Sequence, residues 1–178
     1  EVGGVGTPGI DAVVWLDGLR RPDFDPRQPR KRISQRDKRF DPTVEVVRVG
    51  DEVDFPNFDR VFHNVFSLSE VARFDLGLYR RGASRTVRFE KPGVVRIYCN
   101  IHPQMAAYLV VVRSDFAARV PASGEVLLEG VPPGRHQLRV WHAKSEEQHR
   151  SIEVASGQES AIEVVLDVSG WRPQGHKN

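Results

Sequence analysis

Apolar and polar residues alternate with a period of two along much of this chain. In VVRIYCN, the side chains of Val95, Ile97 and Cys99 share one face. Arg96 and Tyr98 share the other face. A period of two is typical of a β-strand, whose successive side chains point to opposite sides of the sheet. The pattern therefore predicts a strand that directs the Cys99 thiol into the protein core.

Further strands are predicted where short runs rich in Val, Ile, Phe and Tyr lie between turns of Gly, Pro, Asp and Asn. No segment keeps an amphipathic helical period for long, so the fold class is predicted to be all-β. The Pro- and Arg-rich segment LRRPDFDPRQPRKR predicts an exposed loop. The predicted strands lie in DAVVWLDG, ISQRDKRF, TVEVVRVGDEVDF, RVFHNVFSL, RTVRFEKPG and AAYLVVVR.

The strand pattern restarts on a smaller scale after about residue 116. GEVLLEGVPPGRHQLRVWHA predicts two strands around a turn, and SIEVASGQESAIEVVLDV predicts two more. We therefore divide the chain into a first domain of residues 1–115, a small β-domain of residues 116–170 and a polar tail of residues 171–178. The linker SDFAARVPASG is short, which predicts little independent motion of the two domains.

Composition and charge restrict the classes of partner. The chain has 178 residues and a formal net charge of only +2, which argues against nucleic acid as the main partner. The longest apolar run is too short to span a bilayer, so no membrane insertion is expected. The sequence starts at EVGGVGTPG without an initiator Met or a signal peptide. A mature periplasmic or otherwise exported protein, or an expression fragment, would start in this way.

The stretch YCNIHPQM contains the only cysteine and the only methionine of the chain, with a histidine between them. Thiolate, imidazole and thioether are ligands that suit copper, particularly Cu(I). Two histidines and one cysteine in a trigonal plane, with a weak axial methionine, are typical of electron-transfer copper sites. Cys99, His102 and Met105 would supply three of these ligands from one loop. The candidate for the remote ligand is His63 in VFHNVFS.

Each of these residues also has a structural interpretation. A single cysteine on an inward strand face is more often a core residue than a ligand, so the copper hypothesis depends on all four residues together. Met105 has the alternative role of packing in the core while the metal keeps three ligands or takes a water. Zinc is the chemical alternative, but structural zinc sites prefer more thiolates. His142 is predicted to be structural, and it is the next candidate if His63 is not the remote ligand.

Two segments, FDPTVEVVRVGDEVDFPNFDRVFHNVFS and FEKPGVVRIYCNIHPQMAAYLVVV, resemble the cupredoxin family, near plastocyanin and amicyanin. The resemblance covers about residues 10–113. It implies a Greek-key β-sandwich with one copper ion. Carried over residue by residue, it implies the ligands His63, Cys99, His102 and Met105.

The resemblance also implies a role for Asn64 outside the ligand set. Asn64 matches a family position that ties the upstream ligand segment to the cysteine loop and supports the thiolate, an arrangement that orients ligands. The second domain, with GEVLLEGVPPGRHQLRVWH, resembles the small transthyretin-like or carboxypeptidase-regulatory β-sandwich. The resemblance thus predicts a cupredoxin sandwich followed by a second, smaller β-sandwich.

These observations predict a mononuclear blue copper protein, not an enzyme, that transfers single electrons to and from a redox protein partner. Pro103, Ala106 and Ala107 have small apolar side chains that would let a partner approach His102. The segment RQPRKR, residues 27–32, is predicted to be a solvated loop, with docking of an acidic partner as the alternative.

Two other functions remain open at this point. One is a copper-binding or copper-delivery protein without redox cycling. The other is an interaction module with structural copper, in which the second β-domain docks to a larger complex.

Overall fold

The computed structural model describes residues 11–22 and 29–168, and in these ranges all regular secondary structure is β-strand. The all-β prediction is confirmed. The polar tail and residues 27–28 of RQPRKR lie outside the described residues. None of the described segments forms a helix that is long and apolar enough to cross a membrane. The strands are β1 (Ala12–Leu16), β2 (Lys31–Arg32), β3 (Ser34–Arg36), β4 (Arg39–Asp41), β5 (Val44–Arg48), β6 (Glu52–Pro56), β7 (His63–Ser69), β8 (Ala72–Tyr79), β9 (Ser84–Arg88), β10 (Gly93–Tyr98), β11 (Ala106–Val112), β12 (Ala117–Arg119), β13 (Gly134–His142) and β14 (Gln148–Val154).

A β-sandwich is formed by β2 to β11. One sheet has five strands in the order β5-β11-β10-β7-β8, and the other has three strands in the order β2-β6-β9. The hairpin β3-β4 adds a short two-stranded sheet. Within the larger sheet β5 and β11 are parallel, whereas β10 runs antiparallel to both β11 and β7. The end of β10 therefore lies beside the start of β7.

The core of the sandwich lies between these sheets. Val95, Ile97 and Cys99 are all buried in it, while Arg96 on the opposite face is exposed. The inward direction of Cys99 is thus confirmed, because the alternation of β10 matches the two environments on either side of the sheet. The strand β8 was missed by the sequence pattern. Ala72, Phe74 and Leu76 are only partly buried, Leu78 is exposed, and Gly77 interrupts the apolar positions.

The strand β1 forms as predicted, but it belongs to a different sheet. It lies between β12 and β13 in a four-stranded sheet with the order β12-β1-β13-β14. Its register with β13 runs from Ala12 opposite His142 to Leu16 opposite Leu138. The domain boundaries 1–115 and 116–170 are therefore corrected, since the first strand of the chain completes the C-terminal unit. Strand pairing depends on neighbours in space, which a local pattern does not encode.

The C-terminal unit has fewer strands than the pattern predicts. The predicted strands within residues 124–133 and 158–168 are absent from the structure, where these described segments have no strand assignment. Four of their apolar side chains instead pack beside a cluster on the four-stranded sheet, while Leu127, Ile162, Val165 and Val168 are exposed. The resemblance to a transthyretin-like sandwich is not confirmed. The cluster is formed by Leu16, Phe116, Leu138 and Val140, with Leu128, Val131, Val164 and Leu166 packed against it.

A second apolar cluster joins the C-terminal unit to the sandwich. It contains side chains from β1, β5, β11 and β13. Tyr108 of β11 and Trp141 of β13 contact each other with ring centroids 5.4 Å apart. The two units thus share buried surface in addition to the short linker. The buried members of this cluster are Val13, Trp15, Val44, Val46, Val110, Val112 and Trp141.

Candidate metal centre

Three of the predicted ligands meet at one end of the sandwich. His63 is the first residue of β7, Cys99 follows β10, and His102 lies in the loop between β10 and β11. The two Nδ1 atoms of the histidines are 3.0 Å apart. The Cys99 Sγ atom lies 3.9 Å from the His63 Nδ1 atom and 3.8 Å from the His102 Nδ1 atom. Among the described residues this is the one cluster of three or more potential ligands of this kind.

The donor triangle has the dimensions of a trigonal metal site. Its edges of 3.0, 3.8 and 3.9 Å are short enough for one ion to contact all three donors at ordinary ligand distances. The chain has only one cysteine, whereas structural zinc sites prefer more thiolates. Two imidazoles and one thiolate therefore fit copper better than structural zinc, and these three residues would hold the ion.

The three donors differ in exposure. His63 and Cys99 are buried, whereas His102 is half-buried. Partial desolvation first, and then the charges of His63 and Lys38, lower the pKa of His102. The neutral imidazole that results is the form that binds a metal. The site is therefore closed on the inside, and His102 is its link to the surface.

Asp59 determines which nitrogen of His63 faces the other donors. The Nε2 atom of His63 lies 2.7 Å from the Oδ2 atom of Asp59. A carboxylate only accepts hydrogen bonds, so Nε2 carries the proton and donates it. The lone pair of His63 is then on Nδ1, which points to Cys99 and His102. Carboxylate–histidine pairs of this kind orient metal ligands in many proteins.

Asp59 is in turn held by the turn between β3 and β4. Its two carboxylate oxygens accept the backbone N–H groups of Asp37 at 2.7 Å and Lys38 at 2.9 Å. Both of these residues have positive φ angles, 52° and 54°, which directs their N–H groups towards one point. Desolvation raises the pKa of Asp59, but the hydrogen bonds from Lys38, His63 and Asp37 outweigh it, so the net pKa is lowered. Asp59 therefore remains an acceptor.

The sequence analysis missed Asp59. The available signal was its place four residues before His63 in DRVFH. That spacing is not informative in a loop, because only the folded path of residues 59–63 brings the carboxylate back to the imidazole.

Asn64 links β7 to the cysteine loop. Its Oδ1 atom accepts the backbone N–H of Asn100 at 2.7 Å, and its Nδ2 atom donates to Asp75 at 3.2 Å. This is the tie between the upstream ligand segment and the cysteine loop that the resemblance implies. The support that Asn64 gives to the thiolate remains a prediction.

Met105 is buried in the same core cluster as Cys99. Its backbone N–H donates to the carbonyl oxygen of His102 at 2.9 Å, which closes the loop between the two residues. Met105 thus ends the loop that carries His102 and is buried in the core, and its role as the axial ligand remains a prediction.

The residues predicted for partner docking have different environments. Pro103 is exposed and Ala106 is half-buried. Ala107 is only 1% exposed and belongs to the sandwich core. Its prediction as a docking residue is wrong, because the alternation along β11 directs Ala107 inward. His142, the reserve ligand, lies in β13 and accepts the backbone N–H of Lys144 through Nδ1 at 3.0 Å. It is not part of the donor cluster.

Comparisons with known proteins give only partial structural matches. No protein-family model matches the chain, and no curated protein matches it. A Cu(I) structure of an amicyanin mutant is 21% identical, with a TM-score of 0.44, and the match covers 46% of this chain and 81% of that chain. A purple cupredoxin from Nitrosopumilus maritimus is 24% identical, with a TM-score of 0.42, over 46% of this chain and 98% of that one.

A third solved structure is a Cu-containing nitrite reductase from Thermus scotoductus. It is 24% identical, with a TM-score of 0.45, and the match covers 52% of this chain and 27% of that chain. The case for a metal centre therefore rests on the geometry of His63, Cys99 and His102 themselves.

Proposed function

We propose that this protein binds one copper ion and transfers single electrons between redox partners. His63 Nδ1, Cys99 Sγ and His102 Nδ1 are the proposed in-plane ligands, and Met105 is the proposed axial ligand. The observation that carries the proposal is the compact donor triangle, which brings two nitrogens and one sulfur within 4.8 Å of one another. We propose an exported, non-enzymatic protein.

The described residues hold the donors in place before any metal arrives. Asp59 fixes the ring of His63, and Asn64 ties the cysteine loop to β7. The buried side chains around Cys99 keep water away from the sulfur. Copper, when bound, supplies the one-electron Cu(II)/Cu(I) couple. A rigid donor set presents nearly the same geometry to both oxidation states, which keeps the reorganisation on electron transfer small.

His102 is the proposed exit for the electron. It is the ligand with partial exposure, and its loop connects the buried sulfur to the surface. A partner that contacts this loop would come closer to the metal than a partner that contacts a face of the sandwich, because a sheet covers each face.

The visible spectrum of the copper-loaded protein tests the proposal. We expect one copper per chain and an intense thiolate-to-Cu(II) absorption band, together with a reversible one-electron couple in voltammetry. Cys99→Ser should abolish the band, because a hydroxyl is a much harder ligand than a thiolate. A band that survives in Cys99→Ser would refute the assignment. Bound copper without a reversible couple would favour copper delivery or structural copper instead.

A further inference from the structure

Four loops form one surface around the candidate metal centre. We call residues 36–39, 57–63, 80–83 and 99–105 the apical surface. Hydrogen bonds hold these loops together: Asp59 accepts N–H groups of the first loop, and the N–H of Gly82 donates to the carbonyl oxygen of Asn57 at 2.8 Å. The contact between the His63 and His102 rings joins the fourth loop to the second. The four loops therefore lie at the end of the sandwich that carries His102.

The apical surface exposes large apolar side chains. It contains four of the ten large apolar side chains that are exposed among the described residues. Phe62 directly precedes His63, and Ile101 directly precedes His102, so two of the four adjoin proposed ligands. Clustered exposure of this kind marks interaction sites on soluble proteins. The four side chains are Phe58 (38% exposed), Val61 (40%), Phe62 (55%) and Ile101 (48%).

The same surface concentrates positive charge. Its four loops contain six cationic and two acidic side chains, a formal charge of +4, while the whole chain carries only +2. This sum includes the negative charge of Asp59, whose oxygens are occupied by His63 and two backbone N–H groups and not by a cationic side chain of these loops. The guanidinium of Arg36 lies 5.0 Å above the ring of Phe58, so charge directly adjoins the apolar side chains. The six cationic residues, all exposed, are Arg36, Lys38, Arg39, Arg60, Arg80 and Arg81.

These cationic groups are available to a partner. None of the six forms an ion pair with a carboxylate of the described part of the chain. The segment RQPRKR, for which the sequence offers partner docking as an alternative role, differs in this respect. Arg30 is paired with Glu52 at 2.7 Å and Lys31 with Glu45 at 3.4 Å. Six exposed cationic side chains without a carboxylate partner among the described residues thus lie on the apical surface, whereas Arg30 and Lys31 of that segment are paired.

We propose that the apical surface is the docking site for an acidic redox protein, whose acidic rim meets the cationic side chains and whose apolar centre covers Phe62 and Ile101. This proposal rests on the proposed electron-transfer function. An electron-transfer partner must itself contain a redox centre, which favours a protein over a nucleic acid or a lipid surface. Opposite charges speed the encounter, and the effect weakens as salt screens it.

Binding is tested first, with the Cu(I)-loaded full chain and an acidic c-type cytochrome as the probe. Amide NMR shifts on titration should change in the four apical loops. The variant Arg60→Glu/Arg81→Glu should weaken binding about tenfold or more, while Arg135→Glu, an exposed arginine at the start of β13, should leave it unchanged. Arg80→Glu/Arg81→Glu repeats the test on one loop. Shifts confined to other surfaces, or equal effects of Arg60→Glu/Arg81→Glu and Arg135→Glu, would overturn the proposal.

Electron transfer is measured next by stopped flow. One electron passes from the Cu(I) protein to the haem Fe(III) of the probe, which becomes Fe(II), and no bond is formed or broken. At low ionic strength the charge reversal should slow this reaction by about 10-fold to 10³-fold, and salt near 0.5 M should remove most of the difference, since the Debye length is then roughly 4 Å. Basic mitochondrial cytochrome c should show the opposite salt dependence. The same salt dependence for both cytochromes would overturn the proposal.

The outcomes separate the docking proposal from the proposed function. Absence of a reversible copper couple would refute electron transfer whatever the NMR titration shows. A reversible couple with no preference for the acidic cytochrome would refute only the docking site. Vesicles of phosphatidylglycerol serve as the other anionic surface. If they, and not the acidic cytochrome, bind the apical loops in an Arg60- and Arg81-dependent way, the occupant is a membrane and the proposal is overturned.

Discussion

Two regions of the molecule bury different chemistry. Around the candidate metal centre the buried side chains include the polar residues Gln35, Asn57, His63 and Asn64. Where the sandwich meets the C-terminal sheet, the buried cluster is made of valines and tryptophans together with one tyrosine at its edge. Both regions are packed, but only the first is crossed by directional hydrogen bonds between buried side chains.

The polar network at the metal end is specific in its partners. Gln35 donates to the Tyr79 hydroxyl at 2.6 Å, and that hydroxyl donates to the carbonyl oxygen of Phe55 at 2.8 Å. Asn57 donates to the carbonyl oxygens of Val61 and Tyr79, both at 3.0 Å. These bonds determine the path of the loop that leads into β7 and so the position of His63.

The difference shows how the two regions contribute to one protein. Apolar burial is non-directional and stabilises the fold in proportion to area. Hydrogen bonds in a low-dielectric interior are directional, and they specify one arrangement of the groups that they join. Mutations in the two regions should therefore have separable effects, on metal binding in the first region and on the free energy of unfolding in the second.

His63→Ala should have the largest effect on the metal end. We expect copper affinity to fall by more than about 100-fold, since changes to outer partners of a ligand alone cost roughly 10- to 100-fold. The fold should persist because the surrounding core is unchanged. Competition with a Cu(I) chelator measures the affinity. Unchanged affinity would remove His63 from the ligand set and break the proposed site.

Trp141→Ala tests the apolar region between the sandwich and the C-terminal sheet. Loss of the indole from the cluster shared by β11 and β13 should lower the free energy of unfolding by about 3 kcal/mol. Urea denaturation measures this change. The visible spectrum of the copper-loaded variant should match that of the wild type. A shifted spectrum would show that the two regions are coupled and that the comparison does not hold.

Asp59→Ala should weaken copper binding by about 10- to 100-fold, because His63 loses the acceptor that fixes its tautomer. Asp59→Asn retains an oxygen acceptor without the charge and should fall between Asp59→Ala and the wild type. Asp75→Asn, which changes a carboxylate bonded to Asn64 and not to histidine, is the matched control. Equal affinities for all three variants would exclude a positioning role of Asp59.

Met105→Leu should have the smallest effect. The replacement has a similar volume, so stability should change by less than about 1.5 kcal/mol. The variant should keep the absorption band. Because it loses a weak axial thioether, its reduction potential should rise, by on the order of 59 mV if the preference for Cu(II) over Cu(I) falls tenfold. Voltammetry measures the shift. An unchanged potential would mean that Met105 acts by packing alone.

Several properties of this protein follow from local sequence. The period of two around Val95 and Ile97 predicts both the strand β10 and the inward direction of Cys99, because the two faces of a strand depend only on neighbouring residues. The spacing of Cys99, His102 and Met105 predicts a short loop that carries three candidate donors. The structure confirms the strand, the burial of Cys99 and the proximity of Cys99 to His102.

Other properties were decided only by the tertiary structure. The pairing of β1 with β13, the hydrogen bond from His63 to Asp59, the burial of Ala107 and the concentration of positive charge on the apical surface all depend on segments that are distant in sequence or on the path of a loop. The local alternation of apolar and polar residues indicates which face of a strand is apolar. This pattern does not indicate which strand lies beside a given strand or where a loop returns, since both depend on the packing of the whole chain.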